Sequence, residues 1–211
     1  MDFYFDFMSP YAYLAATRID TLAAAHERQV AWKPVLIGVT VMQVMGLKPL
    51  MQTPLKSVYI AHDKPRMARL FGVPLVQRDM AGVNSVAAMR AFVWLQQQDA
   101  AIAKRFVRAV FDQLWARGED ITAPQDVRKA CVAAGVDADA ALAAIATQPV
   151  KDALRAAVDH AIAQGVFGTP YFVVDGEPVW GVDRLWMVEH WLRHHSWDHP
   201  AAALPGGAAR P

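Results

Sequence analysis

The chain has 211 residues, of which 55% are hydrophobic and 19% are charged, and its formal net charge is +1. Its single cysteine cannot close an intramolecular disulfide, form a dithiol redox pair or build a multi-cysteine zinc site, and the small net charge disfavours nucleic-acid binding. The apolar content excludes a disordered chain, no apolar run is long enough to span a bilayer, and the acidic start is unlike a signal peptide. We therefore predict a soluble, cytoplasmic protein that does not bind membranes.

The start of the chain predicts a strand–helix–strand unit. Polar and aromatic residues alternate over 2–7, as in a half-buried strand. Ser9 and Pro10 follow, a favoured helix N-cap and a favoured first helical residue. We predict a helix from there to about Arg28 and a second strand over 29–36.

The middle of the chain, from about 40 to 165, has almost no strand pattern. Residues 40–57 are predicted to be irregular, and a helix over 58–71 is predicted to be interrupted by Pro65. Apolar periodicity and alanine-rich composition predict further helices at 85–98, 102–118, 124–135, 138–146 and 150–164. This part of the chain is therefore predicted to be an all-helical block.

Strand patterns return near the end of the chain. Two apolar segments within 170–181 flank Asp175-Gly176, a dipeptide typical of a hairpin turn. Asp183 is placed to cap a final helix, and residues 198–211 are predicted to form a flexible tail. The order is βαβ, a helical block and ββα, and we expect the two outer parts to join in one sheet.

Ser9 is the first candidate for chemistry. It lies where a strand passes into a helix, and the free N–H groups of a helix N-terminus favour an anion such as a thiolate or a carboxylate. The alternative is that Ser9 is only an N-cap. An acyl nucleophile is disfavoured, because no G-x-S-x-G elbow surrounds the residue.

Two segments near the C-terminus are further candidates. Thr169-Pro170 follows glycines at the entry to a strand, so it is a candidate cis peptide whose backbone can pair with an extended ligand. The alternative is an ordinary edge-strand proline. Asp183 and the N–H groups beside it are a candidate site for the amino-acid-like end of a ligand, or Asp183 is only a helix cap.

The cysteine and the late histidines are interpreted as structural. Cys131 lies on an apolar stretch of a predicted helix, so we predict a buried, unreactive thiol. His190 and His194 share a helix face, close to His195 and His199. No carboxylate completes a ligand set there, and we predict no metal site.

Taken together, these motifs resemble the glutathione-dependent 2-hydroxychromene-2-carboxylate isomerases, a family related to kappa-class glutathione transferases and bacterial disulfide oxidoreductases. DFYFDFMSPYAYLA is similar to the family's strand, catalytic Ser-Pro and helix, and GVFGTPYFVVDGEPVWGVDRL is similar to its cis-proline loop, hairpin and final-helix entry. The resemblance implies an α/β fold, a thioredoxin-like βαβ–ββα sheet with a large all-helical insertion. Residues 1–38 and 165–197 would form the thioredoxin-like domain, and residues 39–164 the insertion.

The resemblance also implies glutathione as the cofactor and assigns roles to individual residues. Ser9 is the catalytic residue and faces the glutathione sulfur, at the position of the first cysteine in redox relatives. Thr169 and Pro170 match the cis-proline dipeptide, in which the first residue, Thr169, pairs through its backbone with the cysteinyl part of glutathione. Asp183, with Arg184 beside it, meets the γ-glutamyl end.

The lysine-containing segment 46–56 completes the implied site. Lys48 is a further glutathione contact, and the substrate carboxylate is expected to pair with Lys48, Lys56 or an arginine of the insertion. Kappa-like relatives often carry asparagine where this chain has Leu47.

The implied reaction interconverts 2-hydroxychromene-2-carboxylate and trans-o-hydroxybenzylidenepyruvate by reversible thiolate addition, as in the degradation of naphthalene-type aromatic hydrocarbons. The partners are then glutathione, a small aromatic substrate and a second copy of the chain in a homodimer. A kappa-like glutathione transferase or peroxidase, and a non-catalytic glutathione-binding module, are the alternatives.

Overall fold

The computed structural model describes residues 1–198, and its centre is one four-stranded mixed sheet. The strands are β1 (Asp2–Phe5), β2 (Ala31–Pro34), β3 (Tyr171–Val174) and β4 (Glu177–Trp180), in the order β2-β1-β3-β4. β1 pairs parallel with β2 and antiparallel with β3, which pairs antiparallel with β4. The predicted βαβ–ββα sheet is confirmed. The predicted tail lies, apart from Asp198, outside the described residues.

Alternation in β1 divides its aromatic side chains between the two faces of the sheet. Phe3 and Phe5 are fully buried in the main core, where both rings pack against Trp32 of β2. Tyr4 points to the other face and packs edge-on against Tyr171 of β3. Both faces are therefore covered, and the end of β1 is held in a fixed position.

The helices cover both faces of the sheet and form most of the chain. They are α1 (Pro10–Ala16), α2 (Ile19–Ala24), α3 (Lys56–Phe71), α4 (Val86–Gln96), α5 (Ala100–Phe111), α6 (Pro124–Ala133), α7 (Ala138–Ala146), α8 (Gln148–Ala163) and α9 (Leu185–His194). Shorter helical turns are Gly38–Val44 and Asp112–Ala116, which are π-helical, and Leu50–Gln52 and Val182–Arg184, which are 3₁₀. Among the helices of the described chain, none is long and apolar enough to cross a membrane.

The structure corrects the predicted helix from Pro10 to about Arg28, which is two helices. Thr17 Oγ1 donates to the Leu14 carbonyl at 2.7 Å, and the Thr17 amide bonds the same carbonyl at 3.2 Å. These bonds over three residues tighten the turn and end α1 before α2 begins.

The prediction that Pro65 interrupts its helix is also wrong, because α3 continues through it. The buried residues of α3 are Ile60, Lys64 and Ala68, a four-residue stripe that spans the proline. Packing of this stripe offsets the hydrogen bond that proline cannot make.

The segment predicted to be irregular at 40–57 contains helical turns. The turn Gly38–Val44 begins where the buried Asp6 carboxylate accepts a hydrogen bond from the Ile37 amide at 2.7 Å. Thr40 is buried and its Oγ1 donates to the Leu36 carbonyl. This turn therefore begins at a hydrogen bond to a residue that is distant in sequence. The local sequence does not reveal such a bond.

Candidate active site at the start of the first helix

Ser9 caps α1 through its own hydroxyl group. Its backbone is extended, with φ −96° and ψ 114°, and its Oγ accepts a hydrogen bond from the Ala12 amide at 3.1 Å. Pro10 follows at the first helical position, where the missing N–H has no helical partner to lose. The N-cap interpretation is therefore confirmed, but it uses only the acceptor side of the hydroxyl.

The donor side of the hydroxyl contacts the segment that enters β3. Ser9 Oγ donates to the Thr169 carbonyl oxygen at 3.1 Å, across 160 residues of sequence. The Thr169–Pro170 peptide bond is cis, as its sequence pattern indicated. Ser9, Thr169 and Pro170 therefore lie together, and Ser9 is only 5% exposed.

Thr169 carries an unused polar atom beside this contact. Its Oγ1 is buried and has no hydrogen-bond partner among residues 1–198. Buried hydroxyl groups are normally paired, because an unpaired one loses about 1–3 kcal/mol of hydration. The Thr169 hydroxyl is therefore a buried polar group whose hydrogen-bonding capacity is unused within residues 1–198.

Two glycines hold the cis-proline loop against the end of β4. A Cβ on Gly168 would lie 2.9 Å from Trp180 Nε1, so only glycine fits without a shift. The Gly181 amide donates to the Pro170 carbonyl at 3.0 Å from a backbone with φ 105°, which favours glycine. The loop and the residues that follow β4 are therefore one connected unit.

Asp183 and Arg184 lie at the exposed rim of this unit. Their side chains are 65% and 46% exposed, and Asp183 Oδ2 is 3.8 Å from Arg184 Nη1. The prediction that Asp183 caps the last helix is wrong, because Asp183 lies inside the 3₁₀ turn and Arg184 is the N-cap of α9. The Asp183 carboxylate is thereby left open to solvent.

The buried residue Asp6 holds the Ser9 segment in place through hydrogen bonds. Its Oδ1 accepts from the Met8 amide at 3.1 Å, and its backbone carbonyl accepts from the Ser9 amide at 3.0 Å. Burial raises the pKa of the Asp6 carboxyl, and this effect outweighs the hydrogen bonds from Ser85 and two amides. The only sequence signal of Asp6 is an acid at the end of an alternating strand.

Two hydrogen bonds hold the segment on either side of Ser9. Tyr11 Oη donates to Asp63 Oδ2 of α3 at 2.6 Å, and Trp115 Nε1 donates to the Phe7 carbonyl at 2.8 Å. Both partners belong to the helical part of the chain. The position of Ser9 therefore depends on the helices as well as on the sheet.

Lys64 is a buried cation in the same region, and the sequence motifs did not predict it. It is 3% exposed, and its Nζ lies 5.7 Å from the centroid of the Trp115 ring. The signal that could have found it is its four-residue spacing from Ile60 and Ala68 on the buried stripe of α3.

Lys48 and Lys56, the two lysines predicted to bind ligands, form no hydrogen bond with Ser9. Both are exposed, Lys48 in the loop before Leu50 and Lys56 at the first residue of α3. Within residues 1–198, neither forms an ion pair or a hydrogen bond through its side chain. Their roles in ligand binding stay predictions.

Cys131 lies in α6, and His190 and His194 lie in α9, whereas His199 lies outside the described residues. Cys131 is buried in α6, and desolvation raises the pKa of its thiol to about 11, so the prediction of a buried thiol is confirmed. The rings of His190 and His194 are 4.6 Å apart, and His190 stacks on Trp197. In the described part of the chain, no three His, Cys, Asp or Glu residues form a group that could hold a metal.

Comparisons with known proteins agree with this geometry. Residues 1–193 match the family model of the DSBA-like thioredoxin domain. The chain is 30% identical over 192 residues to a 2-hydroxychromene-2-carboxylate isomerase of Pseudomonas putida, covering 90% of this chain and 92% of that protein. It is 29% identical over 204 residues to human glutathione S-transferase kappa 1, covering 91% and 90%.

A solved structure extends the likeness to three dimensions. The structure of a 2-hydroxychromene-2-carboxylate isomerase superposes with a TM-score of 0.79 at 28% identity, over 92% of this chain and 94% of that one. These relatives are named as an isomerase and a glutathione transferase, which support a glutathione-related enzyme of thioredoxin fold. The chain belongs to the DsbA-like thioredoxin family, as a relative of the 2-hydroxychromene-2-carboxylate isomerases and the kappa-class glutathione transferases.

Proposed function

We propose that this protein is a glutathione-dependent isomerase that interconverts 2-hydroxychromene-2-carboxylate and trans-o-hydroxybenzylidenepyruvate, or closely related aromatic pyruvates. The observation that carries the proposal is the contact between the Ser9 hydroxyl and the carbonyl that precedes the cis proline. A dithiol reaction does not fit, because the position three residues after Ser9 is Ala12 and the lone thiol, Cys131, is buried elsewhere.

The residues at this site fit a glutathione molecule laid along the cis-proline loop. The unpartnered Thr169 Oγ1 and the Thr169 backbone offer polar positions for its cysteinyl part. The exposed Asp183 and Arg184 are placed to meet the charged γ-glutamyl end. When bound, glutathione supplies a thiolate that adds reversibly to a conjugated carbon, so that rotation can occur before elimination.

The Ser9 hydroxyl has a defined role in this proposal. In this structure the hydroxyl donates its hydrogen bond to the Thr169 carbonyl. It can donate to a sulfur instead once another donor takes its place at that carbonyl. An amide N–H of a ligand on the Thr169 carbonyl would make this exchange and release the Ser9 proton for the sulfur. Because a hydrogen bond to an anion favours the charged form, Ser9 would lower the pKa of the ligand thiol.

Substitution of Ser9 by alanine tests the role of the hydroxyl. Loss of one hydrogen bond to an anion is worth about 1.5–3 kcal/mol, so we expect Ser9→Ala to lower kcat/KM by about 10- to 150-fold. The measurement is the rate of interconversion of the two substrate isomers, followed by absorbance with saturating glutathione. Unchanged activity in Ser9→Ala would exclude the proposed role of Ser9.

Loss of the helix cap needs its own control, because Ser9→Ala also removes a hydrogen bond to Ala12. Asp99→Ala removes a comparable cap from α5, where the Asp99 carboxylate accepts from the Ala101 and Ile102 amides. Both variants should lose about 0.5–2 kcal/mol of unfolding free energy. Only Ser9→Ala should lose isomerase activity at a temperature where both are folded.

A kappa-like transferase or peroxidase is the second candidate, and the 29% identity to human glutathione S-transferase kappa 1 favours it. The two functions differ in thiol balance, because isomerisation leaves the free glutathione concentration constant and conjugation consumes it. A thiol assay through the reaction separates them. Calorimetric binding of glutathione with no turnover of a substrate panel would instead indicate a non-catalytic binding module.

The proposal includes a cytoplasmic homodimer. The segment from the π-helical turn to the first turn of α3 exposes an unusual number of large apolar side chains, namely Met42, Val44, Met45, Leu47, Leu50, Met51, Leu55, Val58 and Tyr59. Large exposed apolar patches mark interaction sites. Sedimentation equilibrium measures the oligomeric state directly, and a monomer at micromolar concentration would contradict this part of the proposal.

A further inference from the structure

The ammonium of Lys64 ends an almost completely buried side chain and is a charge that the proposed reaction leaves unexplained. The Lys64 side chain is 3% exposed, its Nζ keeps a small contact with solvent, and among residues 1–198 no carboxylate or hydrogen-bond acceptor is its partner. Withdrawal of an unpaired charge from most of its water is costly. A lysine kept there at this cost indicates an anion that arrives with a ligand.

The surroundings of Lys64 place it beside the Ser9 segment. Its Nζ lies 5.7 Å from the Trp115 ring centroid, and Trp115 Nε1 holds the carbonyl of Phe7, two residues before Ser9. The neighbouring residue, Asp63, accepts from the hydroxyl of Tyr11, two residues after Ser9.

Helix α3 is therefore linked to one flank of Ser9 directly, through Asp63 and Tyr11, and to the other flank indirectly, through Lys64 and Trp115. Burial lowers the pKa of the Lys64 ammonium, because desolvation disfavours its charged form. A carboxylate bound beside the ammonium would raise this pKa again. The ion pair would therefore contribute to the binding free energy of the anion. An aromatic ring next to the ammonium also matches an aromatic acid.

We propose that Lys64 pairs with the carboxylate of the acceptor substrate, a role that rests on the glutathione-dependent function proposed above. This gives the aromatic pyruvate a recognition residue inside the molecule. The exposed Lys48 and Lys56 then have at most a minor part, because ion pairs at exposed positions contribute little. The expected substrate is therefore an aromatic acid, which the protein binds more tightly than a neutral analogue.

Binding of an unreactive acid and its neutral ester tests this assignment. The probes are 2-oxo-4-phenylbutanoate, which lacks the conjugated double bond, and its methyl ester, each titrated calorimetrically with glutathione present. We expect the wild type to bind the acid about ten-fold or more tightly than the ester, as a buried charged hydrogen bond implies. Lys64→Met should bind both probes equally, and Lys64→Arg should keep a preference for the acid.

Matched variants show which outcome overturns the assignment. Lys151→Met removes the same charge from α8, which carries none of the candidate site residues, and should keep the preference of the wild type. If Lys64→Met keeps that preference, or if Lys56→Met alone abolishes it, the role of Lys64 is excluded. Equal binding of acid and ester by the wild type excludes it as well.

Folding and glutathione binding are measured on the same samples. Lys64→Met should fold, since it keeps an unbranched chain against Trp115, and Lys64→Gln gives a second neutral variant if it does not. If glutathione fails to bind the wild type, the proposed function is wrong. If glutathione binds but acid and ester do not differ, only the assignment of Lys64 is wrong.

Discussion

Asp6 is the residue whose ionisation is most directly tied to the Ser9 segment. Burial raises the pKa of its carboxyl above the ordinary 3.8, so the folded protein holds this proton more tightly than the unfolded chain. Its contribution to the unfolding free energy is therefore fully present below pH 3.8 and is lost as the pH rises through the folded pKa. Asp63 is the opposite case, because hydrogen bonds from Arg66, Tyr11 and Tyr59 outweigh desolvation and lower its pKa.

The two aspartates predict pH dependences of opposite sign. Relative to Asp6→Asn, the wild type should lose unfolding free energy as the pH rises from about 3 to 7. Relative to Asp63→Asn, the wild type should gain it as the pH rises from about 2 to 5. Urea unfolding at a series of pH values measures both differences, and equal slopes for the two variants would contradict the assigned pKa shifts.

Cys131 should be silent in thiol chemistry. Desolvation raises the pKa of its thiol to about 11, and the residue is buried. Since the thiolate is the reactive form, we expect labelling by a disulfide reagent at pH 8 to be at least about 100-fold slower in the folded protein than in urea. Rapid labelling of the folded protein would mean that α6 opens readily. With Cys131 silent, a thiol assay of the enzyme reports glutathione alone.

At the scale of elements, the Tyr11–Asp63 hydrogen bond joins α1 to α3. Removal of the hydroxyl in Tyr11→Phe leaves a carboxylate without this donor, so we expect a loss of about 1–2 kcal/mol in unfolding free energy. Tyr59→Phe removes a second donor to the same carboxylate, and its effect should be smaller because Tyr59 is 60% exposed. A double-mutant cycle of Tyr11→Phe with Asp63→Asn should show coupling, and strict additivity would exclude the bond.

Element types were predictable where the local pattern is strong, and element limits were not. The hairpin turn at Asp175-Gly176 is present, with φ 53° and 93° as such a turn requires. The helix break at Thr17, the continuation of α3 through Pro65 and the helical turn after Ile37 were not predictable. Each of these depends on a side-chain hydrogen bond or a buried stripe, so tertiary contacts override local propensity.

At the scale of the whole molecule, one core spans the sheet and the inserted helices. Phe5 and Phe7 of the N-terminal segment pack against Phe92 of α4 and Phe111 of α5. Trp115 adds a hydrogen bond from the inserted helices to the Phe7 carbonyl. The division of the chain at residues 38 and 165 stays a prediction, and a shared core implies that both parts unfold together.

Trp115→Phe tests this coupling. The change leaves the buried Phe7 carbonyl without a donor, so we expect a loss of about 1–3 kcal/mol in unfolding free energy, still in one transition. Far-UV circular dichroism and tryptophan fluorescence in urea should give coincident curves. Trp186→Phe is the control at a partly exposed site and should change the free energy by less than about 0.5 kcal/mol. Two separated transitions would show that the helical part unfolds independently.

The sequence by itself predicted the order of strands and helical regions, and it made Ser9 a candidate cap and Thr169-Pro170 a candidate cis peptide, because each depends on neighbouring residues. It also carried the family, since the motifs at the two ends of the chain are specific in combination. Only the tertiary structure decided that the Ser9 hydroxyl meets the Thr169 carbonyl, that the Thr169 hydroxyl is unpaired and that Lys64 is buried beside Trp115. These facts depend on packing between distant segments, which no local pattern of residues encodes.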